Sequence, residues 1–242
     1  MQKAVGSKNL TMCGRWLLVI CLLPTAYCLL SSAAHAQVVV DKTVATVTNG
    51  SRAIPDVITY SDVVWQLALE PSTPFTAKPS SNELNRALRL VEDQLLILQE
   101  ARKLPTADTA KALAERDAEV TKRRNELGQA FGSATRLQER MMRVGLTSEQ
   151  LDAILRDRVM VDQYLDFRFR AFVVITPKEI TDRYNEVYGP QRNTGRIVPT
   201  LDQVRDRIEE ELRVEKVAEQ IDKFVDSLRE QPGTEIVILN PV

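Results

Sequence analysis

The feature that most constrains the fold is a short extended segment at the carboxyl end of a mostly helical sequence. Residues 234–239, TEIVIL, follow a Gln-Pro-Gly break and have the β-branched composition of a strand. A single strand would leave backbone hydrogen-bonding groups unpaired, so it needs a partner elsewhere in the chain. The other extended sequence lies near the amino end. The pattern therefore predicts that these two distant segments pair in one small sheet.

The amino-terminal partner has the signature of a β-hairpin. Residues 38–47, VVVDKTVATV, are β-branched and partly alternating, and the Asn49 and Gly50 that follow are a strong turn signal. A second segment, residues 53–58, can return beside the first. Pro55 confines that segment to an edge of the sheet, because proline has no N–H to donate. We predict a hairpin within residues 37–58.

Almost all of the sequence between the extended segments has helical periodicity. Five helix starts have a Ser or Thr followed three residues later by an acidic or amide side chain, which is the capping-box pattern. The pairs are Thr59 with Asp62, Ser80 with Glu83, Thr147 with Gln150, Thr176 with Glu179, and Thr200 with Gln203. We predict helices over residues 59–190, the last of them ending at Gly189 and Pro190. A connector at 191–199, a long helix at 200–230 and the strand at 234–239 complete the chain. The predicted fold class is mainly α (α+β), a helical core with a small β element.

The first 36 residues have the features of a cleavable secretory signal. An apolar run precedes a small-x-small cleavage site at residues 34–36. We expect cleavage after Ala36, export to the periplasm, a single domain at 37–242 and no membrane span after cleavage. A lipoprotein anchored through Cys28 is the alternative, but the bulky Tyr27 before it does not suit lipid attachment. The basic residues of the segment are Lys3, Lys8 and Arg15.

The composition outside that segment excludes several kinds of chemistry. All three cysteines and the one histidine of the chain lie within residues 1–36. The remainder therefore lacks Cys and His nucleophiles, disulfides, and zinc sites built from these side chains, and we expect no metal and no cofactor. The chain has 32 Lys and Arg against 33 Asp and Glu. Such a balance, with interleaved signs, predicts that nucleic acid is not a partner.

Five segments, taken in order, resemble the SurA-type family of periplasmic chaperones, which is related to the PpiD and PrsA foldases. Each segment alone is weakly specific, but together they cover most of residues 37–242. They are VVVDKTVATVTNG with ITYSDV, RALRLVEDQLLILQEARKL (86–104), GLTSEQLDAILRDRVMVDQYLDFRF (145–169), ITPKEITDRYNEVYG (175–189), and VRDRIEEELRVEKVAEQIDKFVDSLRE with TEIVIL (from 204). The resemblance implies a helical chaperone core whose small β element joins the two ends.

The resemblance also draws attention to the passage before the last long helix. In that family a parvulin-type prolyl isomerase domain is typically inserted there, whereas an independent domain needs about 50 residues or more. Residues 191–199 are far too few, so we expect a bare connector. Parvulin-like sites rely on His, usually with Cys or Asp, and residues 37–242 contain no His or Cys. The resemblance therefore implies a chaperone without isomerase activity.

The candidate substrate-binding residues are flexible or aromatic apolar side chains. Met141 and Met142 are consecutive on a short helix, so at least one is not fully buried, and thioethers adapt to varied apolar partners. Phe75 lies in a loop rich in Pro, where an aromatic can contact a ligand. Phe131 and Trp65 complete the predicted set. The alternatives are ordinary core packing for the methionines and attachment of the loop to the helices for Phe75.

Residues 156–172 interleave arginine with aromatic side chains. In a basic protein this pattern would indicate stacking with nucleic-acid bases, but here the spacing favours a buried aromatic stripe. We expect Arg168 and Arg170 to pair with acidic neighbours or to lie over aromatic rings. The aromatic residues of the predicted stripe are Tyr164, Phe167, Phe169 and Phe172.

The function predicted from these features is that of a holdase-type chaperone of the cell envelope. Its partners would be unfolded or nascent envelope and outer-membrane proteins, held in an apolar groove between helices. The position of the groove and the oligomeric state stay open. Two alternatives also stay open: a scaffold or assembly subunit with one fixed partner, and a prolyl isomerase that works without His or Cys.

Overall fold

The computed structural model describes residues 41–50, 54–74, 76, 78–105, 109–194 and 196–242, with the backbone alone at Asn193. The predicted signal segment at 1–36, the start of the predicted first strand at 38–40 and the candidate residue Phe75 lie outside the described residues. Within the described ranges the protein is mainly helical and has one small antiparallel sheet. The predicted fold class, mainly α with a small β element, is confirmed.

Three strands and seven α-helices are found in the described part of the chain, and a 3-10 turn, Arg170–Phe172, follows the fifth helix. Across these ranges none of the helices combines the length and the apolar character needed to cross a lipid bilayer. In chain order the elements are β1 (Thr43–Thr48), β2 (Asp56–Thr59), α1 (Tyr60–Ala68), α2 (Ser81–Ala101), α3 (Ala110–Ala130), α4 (Ala134–Arg143), α5 (Ser148–Arg168), α6 (Pro177–Asn193), α7 (Leu201–Glu230) and β3 (Glu235–Ile238).

The sheet joins the two distant extended segments. Its strand order is β2-β1-β3, and both pairings are antiparallel, with Ala45 of β1 opposite Ile58 on one side and Ile238 on the other. The predicted pairing of the carboxyl-terminal strand with the amino-terminal hairpin is confirmed. Pro55 comes directly before β2, which is an edge strand, as its missing N–H requires.

The helix starts follow the predicted capping boxes. Four of them have both reciprocal hydrogen bonds, and at α6 the Glu179 carboxylate accepts the Thr176 N–H at 2.8 Å while the Glu179 N–H donates to the Thr176 hydroxyl at 3.3 Å. At α7 the Gln203 Oε1 accepts the Thr200 N–H at 2.9 Å. These bonds satisfy backbone donors that would otherwise have no partner in the first turn.

Three apolar clusters of described residues hold the elements together. The sheet core joins β1, α1, α2 and α5 to the last turns of α7, the α3–α5 cluster joins α3, α4 and α5, and the α6–α7 cluster joins α6 to the first half of α7. A polar contact supports the first of these, since Arg229 of α7 lies 2.7 Å from Asp93 and 3.1 Å from the buried Glu92 of α2. The single long helix α7 therefore belongs to two clusters.

The predicted end of α6 is wrong. The helix continues through Gly189 and Pro190 to Asn193, so residues 194–200, rather than 191–199, connect it to α7. Tyr188 is buried against α7, and Arg192 donates to the Tyr184 hydroxyl at 2.8 Å. These contacts stabilise the last turn and outweigh the one N–H that proline lacks.

The predicted aromatic stripe is correct only in part. Tyr164 is buried and its ring lies 6.1 Å from that of Phe224 on α7, and Phe169 lies 5.4 Å from the same ring. Phe167 and Phe172 are 69% and 73% exposed. Because α5 ends at Arg168, helical spacing does not extend to Phe172. The expectation for the arginines is confirmed: Arg168 lies 4.4 Å over the Phe224 ring, and Arg170 lies 3.5 Å from the Asp166 carboxylate.

Candidate functional site

A groove of about 660 Å³ lies between α1, α2 and α5, and we refer to it as the α1–α2–α5 groove. Its volume is within the range of sites that bind small molecules or peptide side chains. Val57 of β2 and residues 69–73, which follow α1, also line the groove. Its apolar lining consists chiefly of Leu69, Val91, Leu95, Leu98, Ile154 and Val161.

Helical spacing explains how this lining arises. On α2, Val91, Leu95 and Leu98 follow one another at four and three residues, and therefore share one face of the helix. On α5, Ile154 and Val161 are seven residues apart and also share a face. Leu98 and Val161 are buried, whereas Val57 is 52% exposed. The groove thus has a covered apolar floor and an accessible apolar edge.

Arg140 of α4 fixes the loop that forms one wall of the groove. Its Nη2 donates to three backbone carbonyls, those of Leu67 at 3.3 Å, Glu70 at 3.2 Å and Thr73 at 2.6 Å. Its guanidinium also lies 4.9 Å from the centre of the Phe131 ring. These contacts satisfy carbonyls at the end of α1 and position residues 70–73 beside the groove.

Acidic side chains around the groove are paired with arginines. Glu70 accepts hydrogen bonds from Arg86, with a closest approach of 2.6 Å. Burial acts to raise the pKa of Glu70, but its hydrogen bonds with Arg86 and Thr73 outweigh that effect and hold the pKa below its usual value. On α5, Asp157 lies 3.2 Å from Arg102 and Asp162 lies 3.0 Å from Arg123. The lining therefore combines apolar surface with compensated charge.

The pKa values of the two α5 carboxyl groups are raised, because burial outweighs the effect of their arginine partners, whereas that of Glu70 is lowered. Burial raises the pKa of Asp157 above its ordinary value, although Arg102 opposes the shift. It likewise raises the pKa of Asp162, and Arg123 opposes that shift. Both side chains are nevertheless about half exposed to solvent.

Among the described residues, Arg158 has one hydrogen-bond partner, a neutral one, and no carboxylate within ion-pairing distance. Its Nη2 donates to Gln66 Oε1 at 2.8 Å, and its buried Nε has no hydrogen-bond partner among the described residues. Burial lowers the pKa of Arg158, while the charges of Asp162 and Glu70 act to raise it. The guanidinium is a positive group next to apolar surface.

The structure places the predicted binding residues beside the groove rather than in it. Trp65 and Phe131 are half-buried and Met141 is buried, and all three pack in the α3–α5 cluster. The Trp65 indole N–H donates to the Val144 carbonyl at 3.1 Å. Met142 is 66% exposed, so the expectation that one methionine of the pair is accessible is confirmed.

The groove residues themselves were not singled out from the sequence. A signal for Arg158 exists, because Ile154, Arg158 and Val161 are spaced by four and three residues, and a charged side chain therefore interrupts an apolar face of α5. Such an interruption indicates either a buried ion pair or a ligand-binding group. Glu70 and Arg86 gave no comparable signal, since their pairing depends on the path of the loop between α1 and α2.

The described lining combines apolar side chains with paired charges. In the described ranges, no group of three or more His, Cys, Asp or Glu side chains is placed to hold a metal ion. The apolar lining can cover hydrophobic side chains, and the paired charges at its edges stay hydrated. No protein-family model matches the chain, and no curated protein matches it.

Proposed function

We propose that the protein is a holdase-type chaperone of the cell envelope that binds unfolded polypeptide segments in the α1–α2–α5 groove. The observation that carries this proposal is the groove itself, about 660 Å³ in volume, with an apolar lining and charged edges. A folded client buries its apolar side chains, whereas an unfolded client exposes them and can place them in the groove. The protein therefore binds unfolded clients in preference to folded ones.

The physical basis is transient burial of apolar side chains. Each Å² of apolar surface removed from water stabilises the complex by about 25 cal/mol, and the client's loss of conformational freedom offsets part of that gain. Arg86 with Glu70 and Arg123 with Asp162 keep the edges of the groove charged, which keeps the complex soluble. No covalent step and no cofactor is needed.

Two features of the sequence support the envelope as the site of action. Residues 1–36 have the pattern of a secretory signal, and the remaining segments resemble SurA-type periplasmic chaperones. The pairing of β1 with β3 and the short connection at 194–200 agree with what that resemblance implies for a chaperone core without an isomerase domain. Clients in the envelope would be unfolded or nascent envelope and outer-membrane proteins.

The test is suppression of aggregation of an unrelated, chemically unfolded protein. Val57→Glu introduces a charge at the accessible edge of the groove, and Val214→Glu introduces one at a position of α7 with similar exposure, 52% against 55%. We expect Val57→Glu to reduce suppression several-fold while both variants keep the same melting temperature. Equal suppression by the two variants contradicts the proposal.

A protein with one fixed partner would give a different result. The scaffold alternative predicts a single stoichiometric complex in envelope extracts and no protection of unrelated unfolded proteins. The chaperone proposal predicts many clients and protection in the purified assay. A proline-isomerisation assay on a short peptide tests the third alternative, and we expect no acceleration.

A further inference from the structure

Among the described residues, Arg158 has no carboxylate within ion-pairing distance, whereas Arg86, the other arginine of the groove lining, pairs with Glu70. Glu70, Asp157 and Asp162 are each within 3.2 Å of an arginine, namely Arg86, Arg102 and Arg123. The Asp62 carboxylate accepts hydrogen bonds of 2.8 Å from the N–H and the hydroxyl of Thr59. For Arg158, the described residues supply one neutral acceptor, Gln66 Oε1.

A partly buried guanidinium with one neutral partner is an incomplete arrangement. Its Nε is buried and without a hydrogen-bond partner in the described part of the chain, and burial lowers the pKa of the group. A cation taken from water gains most from an anion that reaches it directly, through charge-assisted hydrogen bonds. The nearby Asp162 and Glu70 are already engaged by other arginines. The complementary ligand group is therefore a carboxylate.

The residues around Arg158 indicate which kind of side chain flanks that carboxylate in the ligand. On α5, Ile154 precedes Arg158 by four residues and Val161 follows Arg158 by three, and all three residues line the groove. At 1.5 Å per residue these positions lie about 6 and 4.5 Å from Arg158 along the helix axis. In an extended peptide, side chains two residues apart lie on the same side at about 6.6 Å. The two spacings are close enough for three alternate side chains to meet Ile154, Arg158 and Val161.

We infer that the α1–α2–α5 groove selects extended segments in which a Glu or Asp side chain has an apolar side chain two residues before it and another two residues after it, with Arg158 binding the carboxylate. This inference rests on the proposed function in assuming that the groove binds polypeptides. Apolar contacts on both sides of Arg158 favour an internal side chain over a chain end, because a terminal carboxylate has apolar residues on one side only.

The test uses fluorescent peptides that differ in one group. The reference peptide has the sequence Ser-Leu-Ser-Glu-Ser-Leu-Ser with both ends blocked, the second has Gln in place of Glu, and the third is the Gln peptide with a free carboxyl end. Binding to the full chain is measured by fluorescence anisotropy at low salt. We expect the Glu peptide to bind about tenfold more tightly than both Gln peptides, the gain of one charge-assisted hydrogen-bonding contact.

Two variants assign the preference to Arg158. In Arg158→Gln the Glu and Gln peptides should bind equally, whereas Arg156→Gln, at an exposed position of the same helix, should keep the tenfold preference. A measurement on the unaltered chain does not depend on how the variants fold: the Glu peptide should shift the Arg158 Nε–H signal in a ¹H–¹⁵N spectrum, and the blocked Gln peptide should not.

The possible failures are distinguishable. Equal binding of the Glu and Gln peptides to the unaltered chain overturns the inference but leaves the proposed function intact. Failure of every peptide to bind overturns the inference, and it overturns the proposed function as well if Val57→Glu and Val214→Glu suppress aggregation equally. A preference that survives Arg158→Gln places the carboxylate elsewhere. Equal affinity for the Glu peptide and the Gln peptide with the free carboxyl end contradicts the preference for an internal side chain.

Discussion

Single side chains set the shape of the groove by satisfying backbone groups. Arg140 is the clearest case, because one guanidinium nitrogen connects α4 to the end of α1 and to the loop that follows. The sequence does not predict this role, because the three acceptors are carbonyls that lie about 70 residues away in the chain. Contacts of this kind depend on the assembled fold and not on local pattern.

Replacing that arginine should destabilise the protein. Arg140→Met keeps the length of the side chain but removes the hydrogen bonds to the carbonyls of Leu67, Glu70 and Thr73, so we expect a loss of about 2 kcal/mol in the free energy of unfolding. Arg143→Met, at an exposed position of the same helix, is the matched control and should change it by less than about 0.5 kcal/mol. Urea denaturation measures both, and equal losses would show that the carbonyl contacts do not matter.

The two methionines singled out from the sequence should behave oppositely. Met141 is buried in the α3–α5 cluster, so Met141→Ala should cost about 2–5 kcal/mol of stability. Met142 is mostly exposed, and Met142→Ala should change stability by less than about 0.5 kcal/mol. Thermal and urea unfolding of the two variants check this, and a large loss for Met142→Ala would contradict its exposed position.

Glu179 should make stability depend on pH in the acid range. Hydrogen bonds from Lys216, then from the backbone and side chain of Thr176, lower the pKa of Glu179 from 4.5 to about 2. Because the folded pKa lies below the unfolded one, the stabilisation is fully present above about pH 4.5 and is lost as the pH falls towards 2.

The variant Glu179→Gln tests this dependence. The melting temperature of the unaltered chain should exceed that of Glu179→Gln above pH 5, and the difference should shrink steadily between pH 4.5 and 2. Lys216→Met removes the largest cause of the shift and should reduce the same difference. A gap between the two melting curves that stays constant down to pH 2 would falsify the assignment.

At the scale of elements, the sequence predicts best those features that depend on residues close together in the chain. Helix starts are decided by residues three positions apart, and the predicted caps at Thr59, Ser80, Thr147 and Thr176 all form. Helix ends are decided by packing as well, which is why α6 passes through Pro190. Local sequence patterns do not predict the groove, because three helices that are distant in sequence form it together.

Two glycines lie beside the paired strands β1 and β3 at positions where a larger residue would be strained. Gly50 and Gly233 have φ values of +74° and +91°, and a Cβ on Gly50 would lie 2.9 Å from the Gly233 carbonyl oxygen. Gly50→Ala should therefore cost about 1–3 kcal/mol, from strain and from the clash with backbone. Gly50 follows the end of β1 and Gly233 precedes the start of β3, so the clash between them depends on the pairing of these two strands.

Gly189 provides the contrasting substitution. It lies inside α6, and an added Cβ would meet no atom within 4 Å apart from its chain neighbours and the adjacent helix backbone, so Gly189→Ala should stabilise the protein by about 0.5–1 kcal/mol. The melting temperatures of the two alanine variants should therefore move in opposite directions. If Gly189→Ala lowered the melting temperature, α6 would not continue through this position.

At the scale of the whole described unit, the early and late parts of the chain depend on one another. β3 completes the sheet beside β1, and α7 packs on the sheet core with its last turns and on α6 with its first half. The sequence predicted this closure because an unpaired terminal strand is unfavourable. The groove forms on the same framework, between α1, α2 and α5, and is the site at which we propose that clients bind.

Site-specific photo-crosslinking tests that proposal most directly. A photoreactive residue at Gln94 lies in the groove, and one at Gln138 lies on the exposed side of α4. The purified chain is offered a reduced and carboxymethylated, permanently unfolded protein, or the native form of that protein. We predict crosslinks from position 94 to the unfolded form alone and no crosslinks from position 138. Equal crosslinking from the two positions, or none from position 94, would contradict the assignment of the groove as the client-binding site.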